Sequence, residues 1–122
     1  MSKPYRFTSE VHEKYVHAIV TGMHNPENVL RFFTEAHQAC VDNGKTSVLI
    51  EMRLEGPTMG IGHIFSVIQQ RSGPAKELRR IAYVDIGREL EKAEFAENVA
   101  RNRGVNVRLF PNVADAKKWL ER

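Results

Sequence analysis

Ser47-Val48-Leu49-Ile50-Glu51-Met52 is the stretch on which the fold turns. Val48, Leu49 and Ile50 are consecutive rather than alternating apolar residues. A strand carries such a run when both its faces are covered or when it lies in the middle of a sheet. A loop follows, Arg53 to Met59, with Gly56-Pro57 inside it. Next comes Gly60 to Arg71, where Ile61, Ile64, Phe65 and Ile68 recur at helical spacing. A buried strand leading through a loop into a helix is half of a strand–helix–strand unit, and such units build parallel sheets.

Upstream, Asn25-Pro26-Glu27 reads as a helix start. Asn25 caps, Pro26 suits the first helical position, and Glu27 favours the positive end of the dipole. Val29, Phe33, Ala36 and Cys40 follow at helical spacing, with Leu30 and Phe32 alongside, until Asn43-Gly44 stops the helix. Before it, Tyr5, Phe7 and Val11 mark a first strand and Tyr15 to Thr21 a second, rich in β-branched residues. The polar stretch Ser9 to Lys14 predicts a hairpin turn, and Gly22 to His24 breaks the second strand.

Downstream, Ser72-Gly73-Pro74 predicts the end of the second helix. Ile81 to Ile86 is a fourth strand, and Glu89 to Arg103 a helix ended by Gly104. Val105, Val107 and Leu109 alternate with Asn106 and Arg108, giving a fifth strand with one wetter face. Asn112 caps a last helix, with Asp115 in its first turn and Val113, Ala116, Trp119 and Leu120 pointing inward. The order ββαβαβαβα predicts one α/β domain over residues 1–122, a mixed five-stranded sheet with four helices. Its opening pair is an antiparallel hairpin and the rest is parallel.

The chain has 122 residues, 42% hydrophobic and 27% charged, which excludes a disordered chain, a collagen-like chain and a coiled coil. A single cysteine, Cys40, allows no intrachain disulfide and points to a reduced, cytoplasmic setting. Met1 to Arg6 is polar and unlike a signal peptide, and no apolar run approaches the ~20 residues that cross a bilayer, so membrane insertion is not expected. The net charge of +3 permits anionic partners without demanding them. The basic groups Arg71, Lys76, Arg79 and Arg80, and Arg101, Arg103 and Arg108, are diluted by Glu77, Asp85, Glu89, Glu91, Glu94 and Glu97. They read as solvated mixed faces, and no nucleic acid is expected.

Chemistry is best placed in the connection after the third strand, since ligands of open α/β sheets bind beyond the carboxyl ends of the strands. Gly60 and Gly62 let a group approach the first helical turn, free backbone N–H groups there attract an anion, and the Thr58 hydroxyl can cap the helix. The segment is neither a Walker loop nor a dinucleotide fingerprint. Glu51 at a strand end and His63 on the next helix have the chemistry of an acid–base pair, but no nucleophile joins them in a recognisable pattern, so neither catalysis nor a cofactor is expected. His12 and His17 flank a turn, His24 precedes a helix, and His37 and Cys40 stand one helical turn apart. Two ligands do not close a zinc site, so no metal is expected. Phe32, Phe33, Met52, Met59, Ile61, Ile64 and Phe65 bring apolar bulk near this loop. Core packing accounts for it, and the alternative is that part of it lines a pocket.

Val48-Leu49-Ile50-Glu51-Met52, the short loop, and Thr58-Met59-Gly60-Ile61-Gly62 together resemble the anti-sigma-factor-antagonist domain, called STAS. The closest likeness is to small bacterial SpoIIAA-like, or STAS/Sec14-like, proteins. The recognisable stretch there is Phe95 to Phe110 followed by Ala114 to Leu120. The resemblance covers most of the chain in element order. It implies that Glu51 matches the family's strand-end acid, Thr58 its phosphorylatable hydroxyl and Gly60 its helix-opening glycine. Pro57 stands where the family has its motif Asp, and Met59 where a second hydroxyl is common, so the implied switch is degenerate at those positions. A non-catalytic regulatory module of the bacterial cytoplasm is implied, binding a protein partner around Glu51, Thr58, Gly60, Gly62 and His63. The alternative is a carrier or sensor of a small apolar or anionic ligand, which the Sec14-like side of the resemblance implies. Homo-oligomerisation is left open.

Overall fold

β1 (Arg6–Val11) and β2 (Val16–Met23) form the expected antiparallel hairpin, with Arg6 opposite Thr21 and Val11 opposite Val16. The computed structural model describes residues 4–56, 61–85 and 90–122, and for residues 61, 63–65 and 90 the backbone alone. Ser9 and Glu10, expected in the turn, belong to β1. Their polarity is that of an exposed edge strand. The turn itself is closed by the His12 N–H donating to the Tyr15 carbonyl at 2.8 Å. Nor does Gly22 break β2, which runs to Met23. Gly22 has φ 130°, and a Cβ there would sit 2.9 Å from Tyr5 Cα, so the glycine admits the incoming chain against the sheet.

α1 (Pro26–Asp42) starts as predicted, with Asn25 Oδ1 accepting from the Asn28 N–H at 2.8 Å. It stops at Asn43-Gly44, where Gly44 takes φ 64°. Val29, Phe32, Ala36 and Cys40 form its buried stripe. Phe32 holds the inward position that the spacing assigned to Phe33, and Phe33 stacks beside it at 4.5 Å, half-buried.

β3 (Ser47–Glu55) is the central strand, and Val48, Leu49, Ile50 and Met52 are at most 2% exposed. It extends past Met52 because β2 extends too: Thr21 faces Arg53, Gly22 faces Leu54 and Met23 faces Glu55. Arg53 and Glu55 are exposed around buried Leu54, the alternation of a strand rather than a loop.

α2 (Ile61–Ala75) continues through Ser72-Gly73-Pro74. Pro74 lies in the last turn, so its missing N–H costs one bond at the helix end. The Ser72 hydroxyl donates to the Ile68 carbonyl, and the Lys76 N–H to the Ser72 carbonyl at 3.1 Å. β4 (Arg80–Asp85), α3 (Leu90–Asn102), β5 (Val107–Leu109) and α4 (Val113–Leu120) complete the order. Asn112 caps α4, accepting from the Asp115 N–H at 2.8 Å. The ends predicted at Ile86 and Glu89 lie outside the described residues. β5 is three residues long, shorter than the alternation suggests.

The sheet order is β1-β2-β3-β4-β5, with β2 to β5 parallel. The expected mixed five-stranded α/β sheet is therefore present. A sheet that advances one strand at a time through crossovers of one hand puts every crossover helix on the same face. α1, α2 and α3 accordingly cover the face bearing Val16, Ala18, Val20, Val48, Ile50, Met52 and Ile81. α4 alone packs on the other, where Tyr15, Leu49, Ala82 and Val84 meet Ala116, Trp119 and Leu120.

Candidate functional site

The monotonic strand order has a direct bearing on where a ligand can sit. The crevice at the carboxyl ends of parallel strands opens where successive helices diverge to opposite faces. Here α1, α2 and α3 never diverge, so the parallel strands lack that switch point. Two other features hold the polar and apolar chemistry of the molecule.

The first lies on the α4 face. Residues two apart on a strand share a face, which puts Glu51 and Arg53 of β3 together and His17 of β2 beside them. His17 Nε2 is 2.9 Å from Glu51 Oε1, and the Arg53 Nε–H donates to the other carboxylate oxygen. Glu51 and His17 are both buried, while Arg53 reaches solvent. Burial alone would raise the Glu51 carboxyl pKa. The hydrogen bonds from Arg53 and His17, with the attraction of their charges, hold it below its ordinary value instead. His12 continues the cluster outward, stacked on Tyr15 at 4.8 Å and with its ring 6.3 Å from that of His17. The arrangement fixes a charge inside the sheet and satisfies it.

Of the predicted site residues, the structure places Glu51 and Gly62. Glu51 is mid-strand rather than at a strand end, four residues before the end of β3, because the β2–β3 pairing runs on to Glu55. Gly62 is exposed near the start of α2, with open space where a Cβ would stand. Thr58, Gly60 and the His63 side chain lie outside the described residues, as do Met59 and the side chains of Ile61, Ile64 and Phe65. The Glu51–Arg53 pairing could be read from their spacing along one strand, but sequence reasoning missed His17 as the second partner of Glu51. The available signal was a histidine set within the otherwise apolar strand Val16-His17-Ala18-Ile19-Val20, a position that needs a partner once buried.

The remaining predicted groups separate. Cys40 Sγ donates weakly to the Ser47 carbonyl at 3.8 Å, and burial pushes its thiol up to about 11. His37 pairs with Glu77 at 2.8 Å. Among the described residues no three His, Cys, Asp or Glu side chains gather as metal ligands do. Arg80 donates to the Trp119 carbonyl at 2.6 Å and lies over that ring, as Arg108 does, while Arg71 is on the opposite face of the sheet. These three arginines therefore divide between the two faces of the sheet, with Arg80 and Arg108 together at Trp119. Among the described residues no helix is long and apolar enough to cross a membrane.

The second feature is a cavity of about 140 Å³ between the sheet and α1, α2 and α3. Its floor is Val48, Ile50, Met52 and Ile81, and its walls include Phe33, Val67 and Ile68. The α3 wall is Ala93, Ala96 and Ala100, side chains too short to close the gap between helix and sheet. Polar groups stand around this apolar volume: His24, Tyr83 and Asp85 among them, and Arg71 from α2.

A crystal structure of an anti-sigma factor antagonist from Mycobacterium paratuberculosis superposes on this fold with a TM-score of 0.66, at 14% identity over all of both chains. The chain folds as a STAS-like domain. A second solved structure, an uncharacterised protein with a SpoIIAA-like fold from Shewanella loihica, matches over 98% of both chains with a TM-score of 0.58 and 19% identity. No family model and no curated protein matches the sequence. The expected fold is thus met. At these identities the likeness is one of fold, and the role of the STAS-like domain rests on its own residues.

Proposed function

We propose that this STAS-like domain is a non-catalytic regulatory module of the bacterial cytoplasm, binding a protein partner through the surface around the β3–α2 connection. Thr58, Gly60, Gly62 and His63 form that surface, with Glu51 bracing the strand beneath it. The reading is carried by the full-length fold likeness to an anti-sigma factor antagonist. The exposure of Gly62 near the start of α2 agrees with it. The closed His17–Glu51–Arg53 cluster supports a bracing role for the acid, since both carboxylate oxygens are already taken.

The test is partner capture from native lysate by wild type, Thr58→Ala, Thr58→Asp and Gly62→Arg, each first shown to melt normally. A partner held by wild type and lost selectively in Thr58→Asp and Gly62→Arg is the expected result. A charge added at a docking surface weakens it by desolvation and repulsion. Equal capture by all four overturns this placement of the surface.

A second reading is favoured by the cavity: the module carries or senses a small ligand. An apolar volume lined by a few polar groups is what small-molecule sites have in common.

A further inference from the structure

We propose that the cavity beneath α1, α2 and α3 binds a monocarboxylate with a compact apolar body, and that Arg71 takes its carboxylate; this rests on the ligand reading above. Most polar groups at the cavity are already occupied. The Ser72 hydroxyl donates to the Ile68 carbonyl, and the Tyr83 hydroxyl to Met52 Sδ at 3.2 Å. His37 is held by Glu77, and Glu97 accepts from the Leu109 N–H. His24, Asp85 and Lys92 are engaged as well.

Arg71 differs. Its Nε is buried without a hydrogen-bond partner, as His24 Nδ1 and Asp85 Oδ1 are, but those two side chains have other partners whereas the Arg71 side chain makes no hydrogen bond or ion pair among the described residues. A buried donor left unmade is costly and uncommon, so an acceptor belongs beside it. Guanidinium offers two parallel N–H donors in a fixed fork, which match the two oxygens of a carboxylate. A phosphate monoester would bring a second negative charge, for which no other unengaged cation stands at the wall among the described residues.

The apolar part of the ligand follows from the volume. A cavity of about 140 Å³ is close to the roughly 150 Å³ engineered cavity that accepts benzene. A body of roughly six to ten carbons fits that space, and a two-chain lipid does not. Ala93, Ala96 and Ala100 leave the room, and Val48, Ile50 and Ile68 supply the contacts.

The experiment is titration of the full chain with octanoate, 3-phenylpropionate, 1-octanol and hexadecanoate, followed by calorimetry and by amide chemical shifts. Wild type is expected to hold the two short carboxylates about tenfold more tightly than octanol. Arg71→Gln should lose that advantage while keeping octanol, and Arg71→Lys should lose part of it, since the charge stays and the fork goes. Ala96→Leu, which fills the cavity, should weaken every probe. Octanoate and octanol binding equally, or Arg71→Gln and Arg71→Lys both binding carboxylates as wild type does, overturns the assignment of Arg71 and leaves the cavity as a neutral site. Hexadecanoate binding more tightly than octanoate overturns the size limit. No shift with any probe at millimolar concentration overturns both this proposal and the ligand reading.

Discussion

His17 Nε2 lies 2.9 Å from Glu51 Oε1, with the two side chains only 9% and 6% exposed. The bond crosses from β2 to β3 and ties the antiparallel edge of the sheet to its centre. Glu51→Ala leaves the imidazole buried without its acceptor, and a loss of about 1–3 kcal/mol is expected. Glu51→Gln keeps an acceptor oxygen and should lose less. Equilibrium urea unfolding of the two variants checks this. Wild-type stability in Glu51→Ala would mean that the bond contributes nothing net.

The pH dependence follows from the same carboxylate. Its folded value is lowered from an ordinary 4.5, so its contribution is fully present above 4.5 and is lost as pH falls through the lower folded value. The stability gap between wild type and Glu51→Gln should be present above about pH 5 and close on further acidification. A gap that widens below pH 4.5 would reverse the sign and contradict the arrangement.

Leu49 is fully buried, on the central strand and against the α4 cluster. Leu49→Ala removes three heavy atoms from a packed site and should cost about 2–5 kcal/mol. A thermal or denaturant midpoint within error of wild type would show that this face is not a packed core.

Cys40 is inaccessible and its thiol is pushed up to about 11, so very little thiolate exists near pH 8. Labelling with a maleimide at that pH should be slow in the folded protein and rapid in denaturant. Fast labelling without denaturant would require α1 to open on its own.

Strand and helix types were legible wherever one local signal acted alone. Asn25-Pro26 and Asn43-Gly44 marked both ends of α1, and the unbroken Val48-Leu49-Ile50 run marked the central strand. The readings that moved were those in which pairing overrode local preference. Gly22 stays in β2 because Tyr5 presses against it, Ser9 and Glu10 stay in β1 because an edge strand can be polar, and Pro74 ends inside α2 because only a last-turn bond is lost. The site was legible in part. Glu51 stood out as an acid in an apolar run, but its partner His17 lies 34 residues away in sequence, and only the parallel β2–β3 pairing brings the two together. The cavity was not readable in detail, since it depends on how far three alanines of α3 stand from a sheet laid down by other segments.

The strand order that keeps α1, α2 and α3 on one face also sets a timetable. Every strand pairs with its predecessor in the chain, so each segment leaving the ribosome finds its neighbour already made, and the sheet extends from β1 to β5 without waiting for distant sequence. The exception is α4, which follows every strand it covers. Until residues 113–120 emerge, Tyr15, Leu49, Ala82 and Val84 have no helical cover on that face. For that interval of synthesis the nascent domain carries an apolar patch on a paired sheet, the surface that chaperones recognise and aggregates share.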